Sequence, residues 1–169
     1  MIRPKSPSKQ APSSQDDDKI TKQNIEDLAR IIASEARGSN ETAQTMVGWT
    51  VVNRMKKHHF KMVSSVWANH RYAHGYPPTT TSRRIASAIL TGKEKNNSQS
   101  TVFFYSPLIM PKEGDKNLSR YDIKGGLEIV DGVRRNGKPV KNYTPGWAVP
   151  ERRALTPDIP ECTFKFYKE

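Results

Sequence analysis

Only one cysteine, Cys162, occurs in the 169 residues, so no disulfide can form within the chain and no cysteine-based zinc site can assemble. No run approaches the roughly 18 apolar residues of a membrane span, which argues against membrane insertion. Apolar residues are also nearly missing from the opening MIRPKSPSKQAPSSQDDDK, which is rich in Pro, Ser, Lys and Asp. Residues 1–22 therefore read as a disordered linker or tail. Their basic residues have no apolar run behind them, so they do not read as a secretory signal. Acid is scarce relative to base, with 17 Asp and Glu against 28 Lys and Arg and a net charge of +11. Such a surface attracts polyanions (nucleic acid, anionic lipid headgroups or bacterial wall polymers) without choosing among them. A linker-like start without a signal is expected of a module cut from a larger protein, or of one exported by a signal-independent route.

What is present suits one domain over residues 23–169. A first helix is expected from about Thr21, with Ile25, Leu28, Ile31 and Ile32 on one face. Glu35 continues that face, three residues past Ile32. Gly38 is placed to end the helix, and Ser39 or Asn40 to cap the next, with Glu41 in its first turn. Ala43, Met46, Val47, Thr50, Val51 and Arg54 then recur at helical spacing. The two helices should form a hairpin with Glu35 near its turn. A short helix around Val63 to Trp67 and a third clear helix from Ser82 to Leu90 follow. STVFFYSP reads as a short strand stopped by Pro107, Asn136-Gly137 as a hairpin turn, and CTFKFYKE as a closing strand. The fold class expected is mainly α with a small β portion, α+β.

Glu35 is the residue that most demands an explanation, because a carboxylate on an apolar face is costly unless it is paired or protonated. It is either a general acid whose pKa is raised by apolar neighbours, or a helix-end glutamate paired with Arg37 or Arg54. His70 and His74 have the i, i+4 spacing of metal ligands, but no acid completes a set and Gly75-Tyr76-Pro77 argues against a helix there. No metal or other cofactor is expected. Tyr105 in FFYSP and Trp147 in TPGWAVP lie beside prolines in turns, where an aromatic ring either stacks on a sugar or plugs a core. The basic runs RMKK and VRRNGK are the ordinary composition of solvated faces. No recognition helix or aromatic-interleaved strand marks a nucleic-acid reader.

The stretch LARIIASEARGSNETAQTMVGWTVVNRM resembles the signature of the SleB-type, spore-cortex-lytic cell-wall hydrolases. In that family an apolar helix runs into Glu-Ala-Arg-Gly, here Glu35 to Gly38. A second helix follows with a Gln, here Gln44, and closes on Asn-Arg, here Asn53 and Arg54. RIASAILTGKEKNNSQSTVFFYSP and ECTFKFYK are similar to later parts of the family, so the resemblance spans about residues 25 to 168. It implies a lysozyme-like, lytic-transglycosylase-like fold and cleavage of peptidoglycan at MurNAc-β-1,4-GlcNAc bonds. It maps Glu35 onto the catalytic glutamate and makes Arg37, Gln44, Tyr105 and Trp147 candidates for substrate binding. The chain departs from the family at Ser39-Asn40 and in NHRYAHGYPP, which implies a remodelled groove.

The expectation is therefore a monomeric lysozyme or lytic transglycosylase acting in the periplasm or wall of a target bacterium, as the lytic part of an antibacterial effector or lysin. Peptidoglycan is its expected partner, with an immunity protein or a secretion apparatus as further ones, and nucleic acid is not. Two routes stay open: hydrolysis by a water that a second carboxylate activates, and attack by the muramic 6-hydroxyl with Glu35 as acid and then base. The lack of a second carboxylate at a motif position leans toward the latter. Glu113, Asp115 and Asp122, in the expected groove loop, are the candidates for one. Two rival classes remain: a non-catalytic cationic wall-binding domain, in which Glu35 is dispensable, and a nucleic-acid-binding module, which leaves Glu35 unexplained.

Overall fold

The computed structural model describes residues 14–70 and 72–169, with the backbone alone at 131–133. Among the described residues, four α-helices are followed by two small antiparallel sheets, an α+β fold. The helices are α1 (Ser14–Glu35), α2 (Glu41–Lys57), α3 (Val63–His70) and α4 (Thr80–Leu90). Helix α1 begins at Ser14, seven residues before the expected start, so residues 14–22 are helical rather than a disordered linker. Residues 1–13 of the expected linker lie outside the described residues. The reason for the difference is that extending an existing helix is cheap, whereas starting one is not. Residues 14–23 are exposed and need no apolar face, and Asp16 and Asp17 complement the helix dipole in the first turn.

Between α1 and α2 the chain turns at Gly38, whose φ of 76° is accessible at little cost without a Cβ. Asn40 then caps α2, its side-chain oxygen accepting from the Ala43 amide at 2.8 Å. Leu28, Ile31 and Ile32 meet Trp49, Val51 and Val52 of α2 and Ile85, Ala86 and Ile89 of α4 in the main core. Gly48 is why α2 fits so closely: a Cβ there would lie 2.7 Å from Ile89 Cδ1 and 3.0 Å from Ile32 Cδ1. Asn24, buried on α1, ties in the start of α3 by donating to the Lys61 carbonyl and accepting from the Val63 amide.

The three-stranded sheet has the order β1-β5-β4, formed by Phe103–Tyr105, Lys165–Tyr167 and Arg153–Ala154. Phe104 pairs with Phe166, and Phe166 with Ala154. Ala36, Ala43, Met46 and Val47 pack with Ala154, Ile159, Phe164 and Phe166 in a second core, and Phe104 packs against both cores. The other sheet is a hairpin of β2 (Gly126–Arg135) and β3 (Lys138–Thr144). It turns at Asn136-Gly137, both at positive φ (52° and 74°), as a two-residue hairpin loop requires. Among the described residues, no helix is long and apolar enough to cross a membrane.

Candidate active site

Glu35 is the last residue of α1, and the segment that follows α3 closes over it. Ser34 Oγ accepts from the Tyr76 amide at 3.0 Å, and Glu35 Oε1 accepts from the Ala73 amide at 2.5 Å. These two bonds fix residues 72–76 against the helix end. His74 reinforces the segment, stacking on Trp67 at 4.6 Å between ring centres, with Nδ1 donating to the Tyr72 carbonyl.

The result is a cleft of about 480 Å³ lined by Glu35, Arg54, His70, Tyr72, Phe103, Phe104, Tyr105, Ser106, Ile109, Met110, Tyr121, Trp147 and Phe164. Glu35 is the single carboxylate among these residues. Burial raises its pKa above the ordinary glutamate value, and the Ala73 amide opposes that only in part. Among the described residues no cation pairs with it: Arg37 instead lies over the Tyr76 ring at 4.3 Å. Arg54 lines the cleft, but its guanidinium lies over Phe103 (4.5 Å) and Tyr72 (5.6 Å). Burial pulls the Arg54 pKa below the usual arginine value.

Tyr72 is buried, and among the described residues its hydroxyl has no hydrogen-bond partner. Burial pushes its pKa up to about 12, with the Arg54 cation opposing and the Glu35 charge adding to the rise. A buried hydroxyl without a partner carries a desolvation cost that a bound ligand can relieve. On another wall Trp147 stacks on Phe103 at 4.9 Å and meets Tyr105 edge-on at 5.7 Å. Behind them Glu128 accepts from the Tyr105 hydroxyl (2.7 Å), the Asn142 amide (2.9 Å) and the Lys165 ammonium (2.7 Å). Burial alone would raise the Glu128 pKa, but these three donors outweigh it and hold the carboxyl below its ordinary range.

No family model matches this chain, and no curated protein or solved structure matches it.

Of the five residues singled out in the sequence, three meet in one cleft: Glu35, Tyr105 and Trp147. Arg37 and Gln44 do not line it. Arg37 lines a small cavity of about 130 Å³ with Tyr76, Pro77 and Pro78, and Gln44 Nε2 donates to the Ser39 carbonyl at 3.0 Å, closing the turn before α2. The acids of the long loop also stand apart from the cleft lining. Asp122 accepts from the Lys124 and Gly146 amides, Asp115 accepts from the Lys112 amide, and Glu113 is exposed. Tyr72 was not legible as a site residue, and Arg54 was named only as a possible partner of Glu35 and as the close of the second helix in the family signature. Arg54 reads as the last position of a helix face, and Tyr72 lies in an aperiodic segment.

Proposed function

We propose that this chain cleaves the glycan strand of peptidoglycan at MurNAc-β-1,4-GlcNAc bonds, with Glu35 as the general acid on a lysozyme-like scaffold. The observation that carries the reading is a half-buried glutamate of raised pKa, with no cation paired to it among the described residues, in an aromatic-walled cleft. Such a carboxyl stays protonated at higher pH than a free one and can donate to a leaving oxygen. Phe103, Tyr105 and Trp147 supply apolar ring faces and edges of the kind that stack on sugars. The net charge of +11 draws the protein toward an anionic wall.

In the proposed reaction Glu35 passes its proton to the glycosidic oxygen as the bond to the muramic carbon breaks. The departing GlcNAc keeps the bonding electrons, and an oxocarbenium-like centre is left behind. A glycosidase that activates water uses a second carboxylate for that task. With Glu35 as the one carboxylate among the described residues lining the cleft, attack by the muramic 6-hydroxyl is favoured. Glu35, now ionised, takes the hydroxyl proton, and an anhydromuramic end results. Arg54, which lines the same space, is suited to hydrogen-bond the strand.

The test is digestion of purified peptidoglycan by the native chain and by Glu35→Gln, with products read by mass spectrometry. Anhydromuramic ends are expected from the native chain alone, with a rate lowered about 10²–10⁴-fold in the variant. Because the acid must be protonated, the native rate should fall as pH rises through the raised Glu35 pKa, at a higher pH than an ordinary glutamate would set. Reducing muramic ends would replace the anhydro route by hydrolysis. Equal digestion by both chains, or by neither, would overturn the reading.

A further inference from the structure

Beyond the cleft, the loop after β1 walls a second cavity of about 590 Å³, which shares Ile109, Met110 and Tyr121 with the first. The two are neighbouring cavities, with Ile109 and Met110 in the stretch of chain between them. Lys112 braces that stretch: its ammonium donates to the carbonyls of Pro107 (2.9 Å), Leu108 (3.0 Å) and Met110 (2.5 Å).

The chemistry of the second compartment is different. The first surrounds one acid with aromatic rings, whereas the second gathers Lys112, Lys116, Arg120 and Arg135 around a single carboxylate, Asp115. Asp115 Oδ2 is already engaged by the Lys112 amide at 2.7 Å. Among the described residues, no ion pair engages Lys116, Arg120 or Arg135. The Lys112 ammonium is held below its ordinary pKa, first by burial and further by Arg135, with Asp115 opposing. Four cations around one carboxylate leave an excess of positive charge, and an anion placed among them reduces the remaining repulsion. Basic surface runs are usually only solvated, but these side chains line a concavity that shares Ile109, Met110 and Tyr121 with the aromatic cleft. Leu108 and Ile109, 50% and 71% exposed, add apolar surface to the same concavity.

We propose that this basic compartment is a subsite for the carboxylates of the peptide branches carried by the glycan strand, so that the preferred substrate is peptide-bearing rather than bare glycan. The inference rests on the reading of the cleft as a glycan site. A strand lying in the cleft carries its branches alongside it, and a short branch with carboxylates and small apolar side chains matches both the cations and Leu108 and Ile109.

The test reads binding rather than cleavage, in the chain carrying Glu35→Gln. Its affinity is measured for soluble glycan strands bearing peptides and for the same strands after enzymatic removal of the peptides. Both are repeated with Lys116→Gln, Arg120→Gln and Arg135→Gln added together, at three exposed positions where loss of the fold is not expected and a melting curve checks it. Three exposed charge contacts together should weaken binding of the peptide-bearing strand about tenfold and leave the stripped strand unchanged. The difference should shrink as salt is raised. Equal losses on both strands, no loss on either, or no binding of either strand would overturn the subsite. On whole walls, a loss that vanishes when phosphate polymers are removed, and not when peptides are, would assign the compartment to phosphate and overturn the carboxylate reading. Failure of the native chain to cut glycan would count against the catalytic reading, while the binding result would still stand or fall by itself.

Discussion

The helical part of the molecule and the segment from Pro107 to Trp147 are built on opposite terms. In the helices, Leu28, Ile31, Ile32, Val47 and Val51 are fully buried, and the charged side chains Glu26, Glu41, Arg83 and Arg84 form ion pairs at the surface. In the hairpin the pattern is inverted. Leu127 and Ile129 of β2 stand 43% and 53% exposed, while Glu128, Asn142 and Thr144 turn inward. One half is held by apolar burial, which is non-directional and tolerant of detail. The other half is held by a polar cluster in which every donor must meet its acceptor. The candidate cleft lies where they meet, with its acid supplied by the helical half and much of its aromatic wall supported by the polar half.

The largest effect on stability should come from the apolar side of this comparison, at the core that the helices share with the three-stranded sheet. Phe166 is fully buried in the second core and pairs with Phe104 across the sheet. Phe166→Ala should cost about 3–5 kcal/mol in denaturant unfolding, with helical and near-ultraviolet signals lost together. A variant whose helices melt separately from the three-stranded sheet would break the picture of a shared core.

Glu128→Gln should cost less, roughly 1–3 kcal/mol, because it leaves the nearly buried Lys165 ammonium without its counter-charge. Hydrogen exchange should quicken in β2 and β3 before it does in α1 or α2. The pH dependence has a definite sign. Glu128 is held below its ordinary pKa in the folded state, so its stabilisation is present above the unfolded glutamate value and is lost as pH falls through the lowered one. In the variant that acid-side loss should diminish. An equal acid-side loss in native and variant would remove Glu128 from the account of what holds the hairpin.

The smallest effect is expected at Gln44, where the hydrogen bond to the Ser39 carbonyl is the interaction at stake. Gln44→Ala should cost about 0.5–1.5 kcal/mol and leave the KM of the proposed peptidoglycan cleavage within about twofold. A large rise in KM at unchanged stability would return Gln44 to the substrate-binding role that its place in the sequence motif suggests.

Legibility in the sequence follows the same division. The Ile25 to Ile32 face, the turn at Gly38, the Asn40 cap and the α2 pattern were all readable, because helical period and capping are local properties of consecutive residues. The hairpin turn was readable for the same reason, since Asn136-Gly137 suits the positive φ values found there. The start of α1 was not, because residues 14–22 extend a helix whose anchor lies further along the chain. The inward side of the hairpin was not either. Alternation in GLEIV points Leu127 and Ile129 toward a core, but the buried partners are Tyr105, Asn142 and Lys165, all distant from Glu128 in sequence.

By itself, the sequence determined that four helices form, where they turn, and that Glu35 ends an apolar face. These outcomes depend on neighbours within a few positions, where side-chain period and backbone preference act directly. Only the tertiary structure decided what surrounds that glutamate. It kept Arg37 on Tyr76 and Arg54 on Phe103, so that neither neutralises the acid, and it brought Tyr72 and Trp147 into the same cleft. The shift of a carboxyl's pKa depends on burial and on the distances to charges and donors. Both are fixed by how distant segments pack against one another.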